Sequence, residues 1–488
     1  MLLPADRVLT ALAVEFAKLV PRLADSGTDG SAAQSIASAL LLLNNREKGG
    51  PAFVNDQINS IIPLLDVIEQ HSKVNASDLR ARIATAQAQS DLGAKESAWR
   101  TLLTDLQAFA QAIVADTSSS ALDRNTVSAA FVKWEASDRQ AQIAAIDDSA
   151  KGESVEITAD TLSAYLRDRF SEPDMVVTSV TPLAGGFGKE TTLFEVSGNA
   201  LSGAFVMRRD LAGGASITND CHRNVMEYPV IKAANARGFP APDAVWLDTE
   251  HKLLPGGDFI IMRKSPGKIG GNFFGAQTAI PDTLVDNLAV IMADLHNLEP
   301  LTELGDLNPA INSALWNKSR SESTADYICG WRDYFLSHNH TPSPSLMALF
   351  GWLLDNVPPR RGKSVMLHGD FGFHNFLFED GKLSAVLDWE FAHIGDPAEE
   401  LGYVRETIGK AIDWDRLMSN YIAAGGDPVD DATLRYFRVW AHVRNAAGSN
   451  LITANFAAGL SDELKLAFLP HTHFPMFIKS AQGLIDGA

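Results

Sequence analysis

Two short segments, Leu367–Asn375 and Leu383–Glu390, restrict the fold of this chain more than anything else in its 488 residues. The first reads Leu367-His368-Gly369-Asp370-Phe371-Gly372-Phe373-His374-Asn375 and sets an Asp five residues ahead of an Asn. That is the spacing of a phosphoryl-transfer loop, in which the acid orients the attacking hydroxyl and accepts its proton while the amide oxygen ligates magnesium. Magnesium asks for hard oxygen ligands and takes only one or two carboxylates from protein, so a second acid has to arrive close by. The second segment, Leu383-Ser384-Ala385-Val386-Leu387-Asp388-Trp389-Glu390, is an apolar strand ending in acids. Phe376-Leu377-Phe378 and the turn Glu379-Asp380-Gly381-Lys382 lie between, so the whole reads as a hairpin that returns Asp388 to the side of Asn375. A lone Asp-x4-Asn is usually a turn; two such segments in order at hairpin spacing are a metal pair and a base.

These residues carry a resemblance. HGDFGFHNFLF at 368–378, followed by VLDWEFAHIGDPAEEL at 386–401, closely resembles the aminoglycoside phosphotransferase and choline kinase family, which has a protein-kinase-like fold. The resemblance covers about residues 152–488. It implies an α+β class, a bilobal phosphotransferase fold that uses ATP and Mg2+. It also implies Asp370 as catalytic base, Asn375 and Asp388 as magnesium ligands, Asp396 and Glu400 as anchors of the site, and His368 in an architectural role.

A nucleotide-binding lobe should then precede. Gly185, Gly186, Phe187, Gly188 and Lys189 sit between two β-rich runs, as a phosphate-covering loop must. Glycines there let backbone N–H groups approach phosphates. Thr191 stands where the third glycine of GxGxxG would be. The run Ala204–Asp210 resembles the family's next strand, with Arg208 in place of the expected lysine. Arg209, one residue on, should point to the opposite face. Glu227 on the following helix matches the carboxylate that pairs with this cation. Phe259–Met262 running into Ser265-Pro266-Gly267 looks like the interlobe hinge, where backbone groups from Met262 to Lys264 would meet adenine.

The remaining chain divides by texture. Residues 1–147 read as an all-helical accessory domain, with apolar spacing of three and four over Asp6–Leu23, Ala32–Leu43 and Asp78–Val114, punctuated by Pro51 and Pro63. A polar stretch from Asp147 to Ser154 reads as a linker. Thr158 is a candidate N-cap for a helix over Ala159–Phe170. The N-lobe is expected at 152–265 and a mostly helical C-lobe at 266–488.

The bulk properties exclude several functions. No stretch approaches about 18 uninterrupted apolar residues, so no membrane span is expected. The net charge of −19 argues against nucleic acid and anionic membranes as partners. Residues 281–488 hold 27 acids and 15 bases, net −12, which suits either a cationic substrate or a solvated acidic surface. Cys221 and Cys329 stand far apart without metal-ligand spacing, which reads as two free thiols in a cytoplasmic protein.

The function expected is phosphorylation of a small-molecule hydroxyl. A protein substrate is disfavoured because Gly369 replaces the arginine usual in protein-kinase catalytic loops and Asp388 runs almost directly into GDPAEEL, with no long activation segment. LDWEFAHIGDPAEELGY is similar to phosphotransferase modules associated with acyl-CoA dehydrogenases, which act on hydroxyacyl thioesters. Arg435, Arg438 and Arg444 at helical spacing would suit such an anionic acceptor. The alternatives are an aminoglycoside or macrolide antibiotic as acceptor, and a non-catalytic nucleotide-binding scaffold. The helical domain is open to three uses: capping the acceptor cleft, forming a homodimer, or binding a partner enzyme.

Overall fold

The computed structural model describes residues 30–72, 75–115, 120–143, 157–183, 189–210, 223–254, 256–272, 275–276, 280–298, 311, 314–409, 411–457 and 470–487. The chain divides into two compact units, one made of residues 1–152, 328–356 and 442–488, the other of 153–327 and 357–441.

The first unit is helical among its described residues. Its helices include Gly30–His71, Ser77–Gln87, Leu92–Ala115 and Ala121–Ile143. Ala32–Leu43 is helical as expected, and Asp6–Leu23 lies outside the described residues. Gly50, at φ +46°, kinks the first helix immediately before Pro51. The helical periodicity over Asp78–Val114 is realised as two helices, the second started where the Asp91 carboxylate accepts the Ala94 N–H at 2.8 Å.

Two stretches of the expected C-lobe, 328–356 and 442–488, fall in the unit of residues 1–152. Helices Pro344–Asp355 and Phe474–Asp486 belong to the unit of the N-terminal helices. The reason is burial. Leu346, Leu349, Phe350 and Leu353 are fully covered, and a Cβ on Gly351 would stand 2.3 Å from a Val114 methyl, so the two helices touch through glycine. The buried Glu135 carboxylate accepts from the Ser343 hydroxyl at 2.8 Å and the Ser345 N–H at 3.1 Å, placing an anion on that helix N-terminus. Its partner Arg139 lies 2.7 Å away, with its guanidinium 4.1 Å over the Phe474 ring. None of these partners is near in sequence, which is why helical periodicity alone assigned the segments elsewhere.

The second unit opens with helix α1 (Ala159–Phe170), capped by Thr158 as expected: Thr158 Oγ1 accepts the Thr161 N–H at 3.2 Å and Thr161 Oγ1 accepts the Thr158 N–H at 2.9 Å. A five-stranded antiparallel sheet follows: β1 (Val176–Leu183), β2 (Lys189–Ser197), β3 (Gly203–Asp210), β4 (Ala244–Asp248) and β5 (Phe259–Arg263), in the order β1-β2-β3-β5-β4. Helix α2 (Asn224–Ala236) falls between β3 and β4 in the chain. Strand β5 is apolar on both faces. Phe259 and Ile261 join Phe205, Met207 and the α1 residues Leu162 and Leu166 in one core, whereas Ile260 and Met262 join Val230 and Ile231 of α2 in another. The period of two therefore sends Arg208 toward α2 and Arg209 to the opposite face.

The rest of this unit includes helix α3 (Asp282–His296), β6 (Lys268–Ile269), β7 (Val365–Leu367), β8 (Phe376–Glu379), β9 (Lys382–Val386), β10 (His393–Gly395) and helix α4 (Pro397–Thr407). Strands β9-β8-β6 form one small sheet and β10-β7 another. Leu288, Met292, Phe371, Phe373, Phe376, Trp389 and Leu401 share a core with the α2 residues above, so the segment 368–390 is embedded rather than draped on the surface. No helix among the described residues is long and apolar enough to cross a membrane.

Candidate active site

The hairpin forms as read. Phe376 pairs with Val386 and Glu379 with Lys382, and the turn residues Asp380 (φ +49°) and Gly381 (φ +76°) are both left-handed, the geometry that suits a two-residue hairpin. The Leu387 N–H then donates to the Asn375 carbonyl at 2.8 Å, which brings Asp388 beside Asn375. Asp388 itself has φ +63°, a conformation that non-glycine residues occupy at a cost of about 1–2 kcal/mol. Strain of this kind is a feature of functional turns.

Several groups hold the loop that carries Asp370. Gly369 has φ +80°, and a Cβ there would stand 2.3 Å from the Phe391 carbonyl oxygen. Only glycine fits, so the arginine of protein kinases is sterically excluded. The Glu400 carboxylate accepts the His368 N–H at 3.0 Å and the Gly369 N–H at 2.9 Å, and lies 3.2 Å from His296 Nε2. Burial works to raise its pKa, but His296 and the other donors hold it below the ordinary range. His368 is fully buried; its Nδ1 accepts the Asp370 N–H at 3.2 Å and its Nε2 donates to the Leu387 carbonyl at 2.9 Å. Burial lowers its pKa, which keeps the ring neutral and able to play both parts. Asp396 caps α4 through the Ala398 N–H at 2.9 Å and receives Arg360 at 2.9 and 3.2 Å.

The Asp370 carboxylate is surrounded by donors. Asn375 Nδ2 reaches its Oδ2 at 2.9 Å, His374 Nε2 reaches the same oxygen at 3.0 Å, and the Tyr403 hydroxyl donates to Oδ1. Asp370 raises the pKa of His374 against the opposing effect of burial.

A second cluster is ionic. Arg208 spreads its fork, Nη1 to Glu227 at 2.8 Å and Nη2 to Asp388 at 2.6 Å. Lys189 Nζ lies 2.6 Å from the other Glu227 oxygen and 2.9 Å from Glu390. Glu227 also accepts the Trp389 N–H at 3.0 Å. Burial is the main influence raising the Glu390 pKa, with the Asp388 charge next. Burial alone would lower the Arg208 pKa, but Asp388, Glu227 and Glu390 together hold it well above the ordinary range.

The structure thus brings Arg208, Glu227 and Asp388 into contact, and Asn375 into contact with Asp370. Arg209 turns away to Glu190, at 2.8 Å. Lys189, expected in the phosphate-covering loop, has its ammonium buried between Glu227 and Glu390, with a side chain 5% exposed. Gly185, Gly186, Phe187 and Gly188 lie outside the described residues. At the hinge, Met262 pairs with both neighbouring strands, the Arg263 N–H goes to the Asp243 carbonyl at 2.9 Å and the Lys264 N–H to Ala204 at 3.0 Å. Those two N–H groups bond within the sheet. The three arginines on the late helix are not equivalent either: Arg435 is exposed, Arg438 is engaged by Glu406, and Arg444 is buried. They do not offer one cationic stripe to a CoA-like acceptor. Cys329 is a free thiol, and Cys221 lies outside the described residues.

Sequence reading assigned no role to Glu390 or Tyr403. Tyr403 carried a usable signal, because it lies three residues after Glu400 and so on the same helix face, the one that meets the loop 368–370. Glu390 carried a weaker one, two residues beyond Asp388 in an otherwise apolar setting.

The model of the phosphotransferase enzyme family matches residues 179–439. Acyl-CoA dehydrogenase family member 11 of Gallus gallus is 26% identical over 231 residues, 47% of this chain and 28% of that protein. The matched stretch therefore spans less than a third of that relative's length. Viomycin phosphotransferase of Streptomyces vinaceus is 39% identical over 67 residues, 13% of this chain and 22% of the other. Among solved structures, a thermostable aminoglycoside phosphotransferase in ternary complex with ADP and hygromycin B aligns with a TM-score of 0.42 at 16% identity, covering 66% of this chain and 98% of the other.

Proposed function

Since the chain belongs to the phosphotransferase enzyme family, we propose that it transfers the γ-phosphoryl group of ATP to a hydroxyl of a small molecule. The observation that carries this reading is the convergence of Asp370, Asn375, Asp388 and Arg208, from three separate stretches of chain, on one part-buried site.

The residues present fit magnesium. The Asn375 amide nitrogen donates to Asp370, which leaves its oxygen as the ligand end, and Asp388 is a part-exposed carboxylate at the end of the hairpin. One amide oxygen and one carboxylate is the oxygen set magnesium takes when phosphates complete its shell. When bound, the ion would neutralise charge on the transferring phosphates. Asp370 accepts the proton of the acceptor hydroxyl and fixes its direction of attack. Arg208, held by Glu227, supplies a planar fork suited to phosphate oxygens. Glu400 and His368 hold the loop still, which is where most of the rate in phosphoryl transfer originates.

For the acceptor, we favour a metabolic hydroxyl compound, supported by the likeness to the acyl-CoA dehydrogenase family member over 47% of the chain. An antibiotic acceptor is the second reading, supported by the shorter but higher-identity match to viomycin phosphotransferase. An ATP-consumption screen against hydroxyacyl-CoAs, aminoglycosides, macrolides, choline and sugar-like alcohols separates the two. Acceptor-dependent turnover should vanish in Asp370→Asn, and full turnover in that variant would refute the base assignment. Asp388→Ala should abolish the magnesium dependence of nucleotide binding. For the helical region 1–147 we propose a docking role toward a second copy or a partner enzyme, to be tested by light scattering on the whole chain.

A further inference from the structure

We propose that Tyr403 and His374 are positioning residues for the phosphoryl-transfer base, gripping the Asp370 carboxylate from both sides so that it meets the acceptor in one orientation. The inference rests on the reading of Asp370 as that base.

An aspartate carboxylate turns about a broad, two-fold torsion, so a base on a loop has no preferred direction of its own. Here each oxygen is committed. Oδ1 accepts from the Tyr403 hydroxyl, and Oδ2 accepts from His374 Nε2 at 3.0 Å and Asn375 Nδ2 at 2.9 Å. Asn375 Nδ2 also reaches the Asp370 carbonyl at 3.0 Å, and His368 Nδ1 receives the Asp370 N–H. Main chain and side chain of Asp370 are thus held together.

Tyr403 comes from a different element than the other donors, and that element is itself anchored. Helix α4 starts at Asp396, which is clamped by Arg360. One turn before Tyr403, Glu400 takes the N–H groups of His368 and Gly369. The same helix face therefore fixes the loop backbone with Glu400 and the loop carboxylate with Tyr403. Tyr403 is buried, 3% exposed, so its ring is packed and its hydroxyl is delivered at a defined point. His374 reaches Asp370 from four residues along the chain and is likewise part-buried. Among the described residues, titratable groups beside Asp370 include His368, His374 and Tyr403, from the loop and α4.

The competing explanation is that Tyr403 occupies the place of the acceptor hydroxyl and only obstructs it. Removing its hydroxyl would then speed transfer rather than slow it.

The test uses the full chain, with Mg2+, ATP as donor and water as acceptor, followed as single-turnover phosphate release. Tyr403→Phe should slow release by roughly 10–100-fold, the loss expected from a misplaced reacting group, with KM for ATP within about twofold of wild type. In the Asp370→Asn background the same change should have no further effect. His374→Gln, which keeps a donor near the position of Nε2, should retain more rate than His374→Ala. Unchanged or faster release in Tyr403→Phe overturns the proposal, as does an equal loss in the Asp370→Asn background. Asp370→Asn releasing phosphate at the wild-type rate would instead remove the base assignment itself, a different failure.

Discussion

Replacing Gly369 by alanine tests whether the catalytic loop is built on contact geometry, and Gly381→Ala supplies the control. Both glycines have nearly the same backbone angle, φ +80° and φ +76°. A Cβ pays about 1–2 kcal/mol at either position for the left-handed conformation. Their surroundings differ. At Gly381 nothing lies within 4 Å of the added carbon, whereas at Gly369 it would stand 2.3 Å from the Phe391 carbonyl oxygen and 3.0 Å from its carbon. Carbon and carbonyl oxygen rest at about 3.3 Å, so loop or carbonyl must give by about 1 Å. Overpacking in a closed site adds about 1–3 kcal/mol. Gly369→Ala should therefore lose about 2–5 kcal/mol and Gly381→Ala only the first part. The same 1 Å shift, passed to the adjacent Asp370, should cost about 100-fold in turnover, with no such loss in the control. Urea unfolding followed by circular dichroism gives the first number and ATP-dependent transfer the second. Equal unfolding midpoints and equal turnover for the two variants would refute the reasoning.

The ion-pair geometry predicts that Arg208→Ala weakens magnesium–ATP binding by at least about tenfold, the worth of a charged hydrogen bond, while Arg209→Ala, facing Glu190, leaves it near wild type; isothermal titration compares them. Because burial lowers the His368 pKa in the folded chain, the unfolded state binds more protons below the ordinary value of 6.5. Stability from this group is present above pH 6.5 and lost as pH falls through it, by at most about 1.4 kcal/mol per unit, and His368→Gln should flatten that slope in urea midpoints between pH 7.5 and 5.5. His374, raised by Asp370, acts in the opposite sense and should be replaced in the same background to isolate the effect. In the helical unit, Glu135→Gln removes the anion at the start of Pro344–Asp355 and leaves Arg139 buried without its partner, which should cost about 3–5 kcal/mol by chemical denaturation.

The site was legible wherever local sequence dictates local geometry. Asp-Gly at 380–381 forces a tight hairpin, the hairpin register fixes Asp388 against Asn375, and strand alternation separates Arg208 from Arg209. Thr158 announced a helix start through a hydroxyl that needs only the next turn to bond. What stayed hidden depends on partners far apart in the chain. Lys189 read as a loop residue because Glu390, two hundred positions on, is what buries it. Pro344–Asp355 read as C-lobe because the carboxylate that caps it, Glu135, comes from the N-terminal helices. The bonds of the Arg263 and Lys264 N–H groups to Asp243 and Ala204 were equally hidden, because sheet partners cannot be paired from one strand alone.

The arginine at 208 departs from the lysine expected there, and the contacts give a physical account of why the exchange can be tolerated. A lysine on β3 would offer a single point charge, to be shared between Glu227 and the nucleotide. Arg208 instead spans two carboxylates on two elements, Glu227 on α2 and Asp388 beyond β9. The second oxygen of Glu227 is then open to another cation, and β2 supplies Lys189, matched in turn by Glu390. Two cations and three carboxylates share a nearly dry space. Desolvation of buried charges offsets much of what their pairing returns, so a network of this kind is weak evidence of stability. A role in placing charge explains it better. Asp388 is the most open of the five, its side chain 33% exposed, and it lies where the magnesium reading needs a carboxylate. With Glu227 anchored by Lys189 and the Trp389 N–H, Arg208 is held on Asp388 from a fixed point, so a change at Lys189 should be felt at Asp388.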